Sequence, residues 1–548
     1  MSFIEPESRF QQKLQPESLD DFLSPDHPVR LIDAFVDSLN METLGYCRPS
    51  PKDTGRPAYD PRCLLKLYIY GYCNKIRSSR KLMLECGRNT ELYWLLGKLR
   101  PDFRTISDFR KDNAKAIRQT FLSFGKLCLK LNLYQKELLA VDGSKVRAVN
   151  SKNNCFNAEA LNKKLERIDE NITAFLAKMD EADQSGAEDP NQDKEKIKAA
   201  IEDLTTRKGK YQKYLETLEA SGESQILTTD PEARRMHSKD GFHCCYNVQT
   251  AVDEGSHLIV NYEVTNHNTD QGLLCEMAKI SREQLDVEAI EIVADKGYES
   301  RQDILDCLMQ GTIPTVALKY DKKERLFNLR YEEAELTEEE LSSATPENIR
   351  KCLLSGVLPK CYEGRNVDVE VQGRGILSCF NLNPDNTVTC PMGNTLNRLK
   401  NRGLNTIYSC KEACRQCPNR CTDGKYHKTV SFSPTTRYVP VMMYGDSRRT
   451  LNQIPGGENI NPGNHTLDRT DHEKKKVVIH IRTSAERLKQ RKCLSEHPFG
   501  TVKWYHGAHY LLCKGKEKAS AEMGLSLLAY NMIRAMNLVG VKKLMEAV

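Results

Sequence analysis

The sequence is poor in aromatic residues, and its apolar stretches are short. Aromatic side chains make up 7% of the 548 residues, and only two of them are tryptophan. Stretches such as 64–72 and 524–533 fall well below the ~20 apolar residues of a membrane-spanning helix. The first ten residues, MSFIEPESRF, contain acidic groups and no apolar run behind a basic segment, which argues against a secretory signal. We therefore expect a soluble, cytoplasmic protein without a membrane partner.

The chain nevertheless has enough apolar residues for several buried cores. A hydrophobic fraction of 39% over this length predicts about three or four folding units. Apolar residues recur every three or four positions in the first 135 residues and in the last 65, whereas short apolar or alternating runs after residue 137 indicate strands. The predicted fold class is mixed, α+β. The predicted units are a helical bundle at 1–135, a sheet domain at 136–157 and 223–320, a hairpin insertion at 158–222, a cysteine-containing insertion at 321–475 and a helical end at 476–548.

Heptad spacing predicts the hairpin insertion. Apolar residues step by three and four from Leu161 to Met179 and again from Ile197 to Leu218, and the turn-forming sequence QSGAEDPNQD joins the two arms. This pattern is typical of an antiparallel coiled coil inserted into a sheet domain. We expect a spacer or a dimer contact, without chemistry of its own.

Twenty cysteines would form a disulfide framework in a short secreted chain, but we expect reduced thiols in this one. Clustered cysteines then indicate a metal. A CxxC pair, with one cysteine before it and one after it, predicts a structural zinc site, and the alternative is a cluster of reduced thiols. The predicted ligands are Cys390, Cys414, Cys417 and Cys421, with Cys379 and Cys410 as substitutes.

The formal net charge of +6 is small, but it is unevenly distributed. Residues 75–118 contain 12 basic and 5 acidic side chains, 398–428 contain 8 and 2, and 473–518 contain 12 and 4. Three basic segments favour a polyanionic partner that contacts several units. In the first segment, basic residues near helix starts are candidates for phosphate contacts, and the alternative is that they pair with acids inside the bundle. These candidates are Arg77, Arg80, Arg104 and Arg110.

Two aspartates follow apolar strands. Asp142 ends the apolar run in LLAVDGSKVRA, and Asp295 ends the one in IEIVADKGYES. Each is followed closely by glycine and basic residues. Two carboxylates at the ends of two strands of one sheet predict a site for Mg²⁺ or Mn²⁺ and phosphate, because hard cations prefer oxygen ligands and two ions can stabilise both oxygens of a phosphodiester displacement.

Four ordered segments resemble a known family. VDGSKVRA, HSKDGFHCCYNVQTAVD, ADKGYES and EHPFGTVK are similar to segments of the DDE transposases of bacterial insertion sequences, and 55–111 resembles the InsH-type N-terminal transposase domain. The resemblance implies an RNase H-like catalytic core and a catalytic triad of Asp142, Asp295 and a glutamate on a helix near the C-terminus.

Glu496 is the glutamate that best matches the family pattern. Arg491 precedes it and Lys503 follows it, and the resemblance implies that both bind phosphates beside the scissile bond. Leu488 stands where the family usually has tyrosine. Pro498 predicts that the helix ends or kinks just past the acid. Glu486 is the competing candidate.

The resemblance implies an enzyme that binds the terminal inverted repeats of its element, cleaves DNA at the ends and joins them to target DNA. It also implies association with the nucleoid and a homodimer in the active complex. The alternatives are an inactive DNA-binding regulator and a metal-dependent nuclease on the same fold.

Polar residues in two further segments have no clear catalytic role in the sequence. Asp270 precedes an apolar-periodic run and is predicted to cap a helix at 271–284. His237 and Asp240 lie before a strand, where they could support the site, face DNA or belong to a polar loop.

Overall fold

The computed structural model describes residues 18–47, 58–184, 190–238, 241–318, 324–372, 380–383, 385–390, 392–402, 405–417, 427–432 and 476–548. In this part of the chain, no helix is both long and apolar enough to cross a membrane. Helices and strands form a mixed α/β structure with several sheets.

The bounds of these elements follow the chain. The helices are α1 (Pro28–Ser38), α2 (Pro61–Cys73), α3 (Ser79–Glu85), α4 (Thr90–Leu95), α5 (Phe103–Asp112), α6 (Ala114–Lys130), α7 (Ala158–Gln184), α8 (Pro190–Ser221), α9 (Leu274–Leu285), α10 (Arg301–Met309), α11 (Glu338–Ser342), α12 (Pro346–Leu354), α13 (Lys411–Gln416), α14 (Ala485–Gly500), α15 (Lys516–Val539) and α16 (Val541–Ala547). The strands are β1 (Leu138–Arg147), β2 (Cys155–Phe156), β3 (Ile226–Leu227), β4 (Arg234–Ser238), β5 (Gly241–Asp253), β6 (Ile259–Thr265), β7 (Ile290–Ala294), β8 (Thr312–Val316), β9 (Glu324–Arg330), β10 (Val367–Gln372), β11 (Asn381–Leu382), β12 (Val388–Thr389), β13 (Thr395–Arg402), β14 (Asn405–Ser409), β15 (Thr429–Phe432) and β16 (Lys476–Arg482).

A central sheet organises the molecule. Its strands run in the order β5, β1, β7, β8, and both β4 and β6 pair with the long strand β5 on the side away from β1. β1 is antiparallel to β5 and parallel to β7, and β7 is parallel to β8. The apolar runs that lead to Asp142 and Asp295 both lie in this sheet.

Helices cover both faces of the central sheet, and the alternation of side chains along β1 decides which residues each layer meets. Leu138 and Ala140 face α14 and pack with Leu494. Leu139 and Val141 point to the opposite face and join the main core, which also contains residues of α6, α9 and α15. The central sheet is therefore buried on two sides, as its continuous apolar strands require.

The N-terminal helices share the main core with the C-terminal helix α15, so the helical bundle is not built from the first 135 residues alone. Asp60 caps α2 as its sequence indicates, since its carboxylate accepts a hydrogen bond from the backbone N–H of Arg62 at 2.8 Å. α15 carries a nearly continuous buried surface that packs on α2 and α6. The bundle is thus completed by a segment more than 380 residues away in the chain.

Two long helices, α7 and α8, pack against each other where the heptad arms are predicted. Asp169 lies opposite Lys208, with 2.6 Å between Oδ1 and Nζ, which fixes the arms as antiparallel neighbours. At their base, β2 pairs with β3, and Phe156 packs with Leu161 and Leu218. The two ends of the hairpin therefore leave the central sheet side by side.

Two smaller sheets follow the central one. In the first, β16 lies between β9 and β10 and is antiparallel to both. The predicted boundary between 475 and 476 therefore separates β16 from the unit to which its two partner strands belong. The other sheet runs β11 to β15 in chain order around its own small core. No period in the sequence indicates it, because its strands are short and polar.

Candidate active site

Asp142 and Asp295 lie next to each other at the point where β1 and β7 part. Ala140 is paired with Val293, and each aspartate stands two residues further along its parallel strand, on the face toward α14. Asp295 directly follows β7, whereas β1 continues to Arg147 in pairing with β5. The expectation that Asp142 ends its strand is therefore wrong, because β5 extends the pairing beyond β7.

Burial and charge both act on the Asp142 carboxyl. Burial raises its pKa, and the neighbouring charge of Asp295 adds to that effect. Two residues of α14 lower the same pKa: Ser495 through a hydrogen bond, and Arg491 through its charge, with 3.8 Å between its Nη1 and Asp142 Oδ2. The pair of acids is thus held in a partly buried site where a nearby cation is favourable.

Glu496 lies on α14 and lines the same cleft as the two aspartates. α14 is placed there by Leu494, which packs on β1 and β7, and by Leu488 at the edge of the same cluster. Leu488 thus has a packing role at the position where the resemblance implies tyrosine. Glu486 lies in the first turn of α14 and is not among the described residues that line the cleft.

The helix does not end at His497, contrary to the prediction from Pro498. α14 continues to Gly500, and a π-helical turn, Thr501–Tyr505, follows it. Pro498 removes one backbone hydrogen-bond donor from the helix. The helical path nevertheless continues in the wider π turn, in which the N–H of His506 donates to the C=O of Thr501 at 2.9 Å.

The π turn brings Lys503 and Trp504 to the cleft. Lys503 Nζ donates a hydrogen bond to the backbone oxygen of Lys145 at 2.6 Å, which ties the turn to β1. Trp504 is 72% exposed and stacks on His509. Nothing in the sequence indicated a role for this tryptophan, although its neighbour Lys503 was predicted to contact phosphate.

The carboxylates are a suitable donor set for a divalent cation. Asp142, Asp295 and Glu496 offer only oxygen ligands, and the repulsion between the first two is what a bound cation would relieve. As they stand, no three His, Cys, Asp or Glu side chains of the described chain are close enough to form a metal site. The fit to a divalent cation therefore rests on the all-oxygen donor set and on the two neighbouring carboxylates.

The predicted zinc ligands lie in and around the small sheet. Cys390 packs beside its core, and Cys414 and Cys417 belong to α13 and the residue after it. Cys421 and Cys379 lie outside the described residues, and the described cysteines form no metal cluster. The zinc site stays a prediction.

The four arginines predicted to contact phosphate separate into two pairs. Arg77 and Arg110 are 7% and 5% exposed, and both lie beside Glu522 of α15, not beside the acids of the N-terminal bundle with which the alternative paired them: Glu85, Glu91, Asp102, Asp108 and Asp112. Arg77 contacts Glu522 and the backbone of Gly507 and Tyr510. Burial of this kind leaves no guanidinium surface for a phosphate.

Arg80 and Arg104 are exposed and share one groove. Both guanidinium groups lie over the ring of Phe103, at 5.2 and 5.8 Å from its centroid. Ser78 and Ser79 line the same groove. Asp108 also lines this groove, and the phosphate contact stays a prediction.

Asp270 does not cap a helix. α9 begins at Leu274, and the distant Asp303 caps it by accepting the N–H groups of Leu274 and Cys275 at 3.0 and 3.1 Å. Asp270 instead lies against the central sheet, where side chains of β1 and β5 donate to it. The preference of Asp for helix starts pointed to Asp270, but Asp303, which is distant in the sequence, provides the cap.

His237 lies on β4 and lines the cleft, with its ring edge-on to Phe242 at 5.1 Å. This placement suits the predicted role near DNA. Asp240 lies outside the described residues.

Two parts of the chain match models of known families. Residues 17–112 match the family model described as a transposase domain (DUF772), and residues 191–355 match the transposase DDE domain. Among solved structures, the chain is similar to a cryo-EM structure of the piggyBac transposase synaptic complex with hairpin DNA, at 8% identity. That likeness covers 95% of this chain and 78% of the other, with a TM-score of 0.26, which carries no further argument.

A search of curated proteins finds no match. The DDE domain implies use of a divalent metal in general. The two matched transposase models span 17–112 and 191–355. Both matches support an insertion-sequence DDE transposase.

Proposed function

We propose that this protein binds the terminal inverted repeats of its insertion sequence, cleaves DNA at the element ends and joins the 3′-hydroxyls to target DNA. The observation that carries the proposal is that Asp142 and Asp295 lie side by side on one face of the central sheet, beneath the helix that carries Glu496. The central sheet pairs β1, β5 and β6 as antiparallel neighbours and then adds β7 and β8 parallel to β1, with β4 as an extra antiparallel partner of β5, and this topology supports an RNase H-like core. DNA is the partner, and a homodimer is the active assembly.

Asp142, Asp295 and Glu496 would hold Mg²⁺ or Mn²⁺, which would supply charge stabilisation to the attacking and leaving oxygens. Arg491 lines the cleft beside Asp142 and is placed to bind a phosphate next to the scissile bond. Lys503 has the same role from the other side of Glu496, with its position fixed by the carbonyl of Lys145. These cations attract the polyanion into a cleft whose floor is acidic.

The groove formed by Arg80, Phe103 and Arg104 would bind the DNA backbone outside the cleft. Guanidinium groups held over an aromatic ring keep their donors directed to solvent, where phosphate oxygens can accept them. Contacts of this type position the duplex and carry no sequence information.

The test is to replace Asp142 or Asp295 by Asn, which removes a charge and changes almost no volume. The substrate is duplex DNA that contains the element end and its flank, incubated with Mg²⁺. We expect no strand cleavage and nearly unchanged end binding in a gel shift on the same preparation. Asp306→Asn is the matched control, because Asp306 lies on α10 outside the cleft, where it accepts a hydrogen bond from the side-chain amide of Gln302. This variant should keep full activity.

The products also separate the alternatives. Cleavage without joining would identify a nuclease, and binding without cleavage by the unaltered protein would identify a regulator. Cleavage by either Asn variant would contradict the assignment of the site.

A further inference from the structure

Asp270 is the centre of a polar cluster directly behind the two catalytic aspartates. Its Oδ1 accepts hydrogen bonds from Asn247 Nδ2 at 2.7 Å and Gln249 Nε2 at 2.8 Å, and Lys145 Nζ lies 3.3 Å away. Asn247 and Gln249 are completely buried neighbours on β5. Three donors on one oxygen hold the carboxylate in a defined orientation.

Close packing explains why a glycine follows Asp142. A Cβ on Gly143 would stand 2.6 Å from Asp270 Oδ1 and 2.4 Å from Gln249 Nε2. A Cβ on Gly297 would stand 2.8 Å from Asp295 Oδ1, but 3.5 Å from Asp270 Oδ2, which is an ordinary contact distance. Gly143 therefore allows Asp270 to approach the backbone beside Asp142, and Gly297 leaves room for the carboxylate of Asp295.

A neighbouring tyrosine is close to all three acids. Burial raises the pKa of Tyr298 far above its ordinary value, and the charges of Asp270, Asp142 and Asp295 add to that effect. Its hydroxyl donates a hydrogen bond to Gln249, which also holds Asp270. The buried side chains of Tyr298 and Gln249 thus connect Asp270 to the neighbourhood of the Asp142–Asp295 pair.

The geometry points to Asp270 as a positioning residue that strengthens the affinity of the Asp142–Asp295 pair for a divalent cation. It acts through its fixed negative charge and through its contact with the backbone at Gly143, not as a ligand. Lys145 offsets part of this charge and keeps the isolated cluster stable. The inference rests on the proposed function, because it assumes that the pair binds a cation.

The test measures Mn²⁺ binding to the full-length chain without DNA, by electron paramagnetic resonance of the free ion. Asp270→Asn keeps the shape and the acceptor oxygen but removes the charge. We expect its Mn²⁺ affinity to fall about tenfold, since one of three neighbouring charges is lost from a partly buried site. Asp270→Glu keeps the charge and should bind within about threefold of the unaltered protein.

Controls separate the possible failures. Asp306→Asn should bind Mn²⁺ normally, and Asp142→Asn should lose the site. If the unaltered chain bound no Mn²⁺, or if Asp142→Asn bound it unchanged, the proposed function would fail. If Asp142→Asn lost binding but Asp270→Asn matched the unaltered protein, only the role of Asp270 would be refuted.

Thermal unfolding without metal distinguishes charge from structure. A variant that binds Mn²⁺ normally but melts at a lower temperature would mark Asp270 as a purely structural residue and overturn the inference. Should Asp270→Asn fail to fold, Asp270→Glu and Gly297→Ala remain. Gly297→Ala displaces the Asp295 carboxylate and should also weaken binding, and normal binding by this variant would contradict the role assigned to the glycine.

Discussion

Arg77 and Glu522 form a buried ion pair, with 2.7 Å between Nη2 and Oε1, that joins the N-terminal helices to α15. Glu522 also accepts the backbone N–H groups of Leu512 and Cys513 at 2.9 and 3.0 Å. The residue just before Leu512 reaches the central sheet, because the backbone N–H of Leu511 donates to the backbone C=O of Arg147 at 2.8 Å. One carboxylate therefore connects the helical bundle to the end of the strand that carries Asp142.

Replacing Glu522 by Gln should destabilise the protein by about 3–5 kcal/mol, because it leaves a buried arginine without its counter-charge. Denaturant unfolding of the full chain measures the change. Glu517→Gln is the matched control, since Glu517 lies in the exposed first turn of the same helix. A loss below about 1 kcal/mol, the size expected of a surface pair, would show that the ion pair is not coupled to folding.

The exposed arginines should behave differently. Arg80→Gln and Arg104→Gln should each weaken end binding for all sequences and reduce the salt slope by about one for each phosphate that is no longer neutralised. Filter binding of an end duplex at several salt concentrations measures the slope. Thermal stability should stay unchanged.

Arg110→Gln supplies the contrast, because Arg110 is buried and donates to the hydroxyl of Tyr72 at 2.8 Å. We expect lower thermal stability and an unchanged salt slope. If Arg110→Gln altered the slope while Arg80→Gln did not, the groove assignment would be wrong.

The hairpin arms should be removable without loss of the central sheet. The outer parts of α7 and α8, residues 172–184 and 190–204, lie beyond the ion pair of Asp169 with Lys208, and the shortened chain lacks 172–204. Replacing them with a short Gly/Ser bridge keeps the base cluster around Phe156, so the sheet should stay folded and soluble. Circular dichroism and light scattering measure folding and assembly.

The size of the shortened protein then tests the arms as a dimer contact. A folded monomer, beside a dimeric parent, would assign the dimer interface to the arms. Aggregation of the shortened chain would show that the outer arms belong to the core, contrary to our expectation.

The sequence predicts best where one local pattern decides the structure. The apolar runs before Asp142 and Asp295 predict strands of one sheet, and the heptads predict α7 and α8, because strand and helix periods are properties of short segments. The placement of Glu496 came from the resemblance, since nothing in its own segment separates it from Glu486.

Contacts between distant segments could not be predicted in this way. Arg77 and Arg80 are three residues apart, yet one is buried against Glu522 and the other is exposed, a difference set by a helix more than 430 residues away. Asp270 looks like a helix cap because it stands before a helical pattern in the sequence. Its actual partners, Asn247 and Gln249, lie on β5, which the local sequence does not reveal. Propensity carries no information about such partners.

The sheet of β9, β16 and β10 should be sensitive to pH through His480. The imidazole lies on the central strand between two acids, with 2.9 Å from Nδ1 to Glu324 Oε1 and 3.1 Å from Nε2 to Glu370 Oε1. Burial lowers the pKa of His480, but the hydrogen bonds with Glu324 and Glu370 outweigh burial and raise it above its ordinary value. The doubly protonated ring therefore bridges strands β9 and β10.

Because the folded pKa is raised, the stabilisation is fully present below the ordinary histidine pKa of about 6.5 and is lost as pH rises through the folded value. We expect His480→Gln to speed hydrogen exchange of 324–330 and 367–372 at pH 6 and to have little effect at pH 9. These peptides do not contain the replaced residue, so the ratio of variant to unaltered rates at each pH removes the intrinsic pH dependence of exchange. An equal ratio at both pH values would show that His480 stabilises the sheet by packing and not by charge.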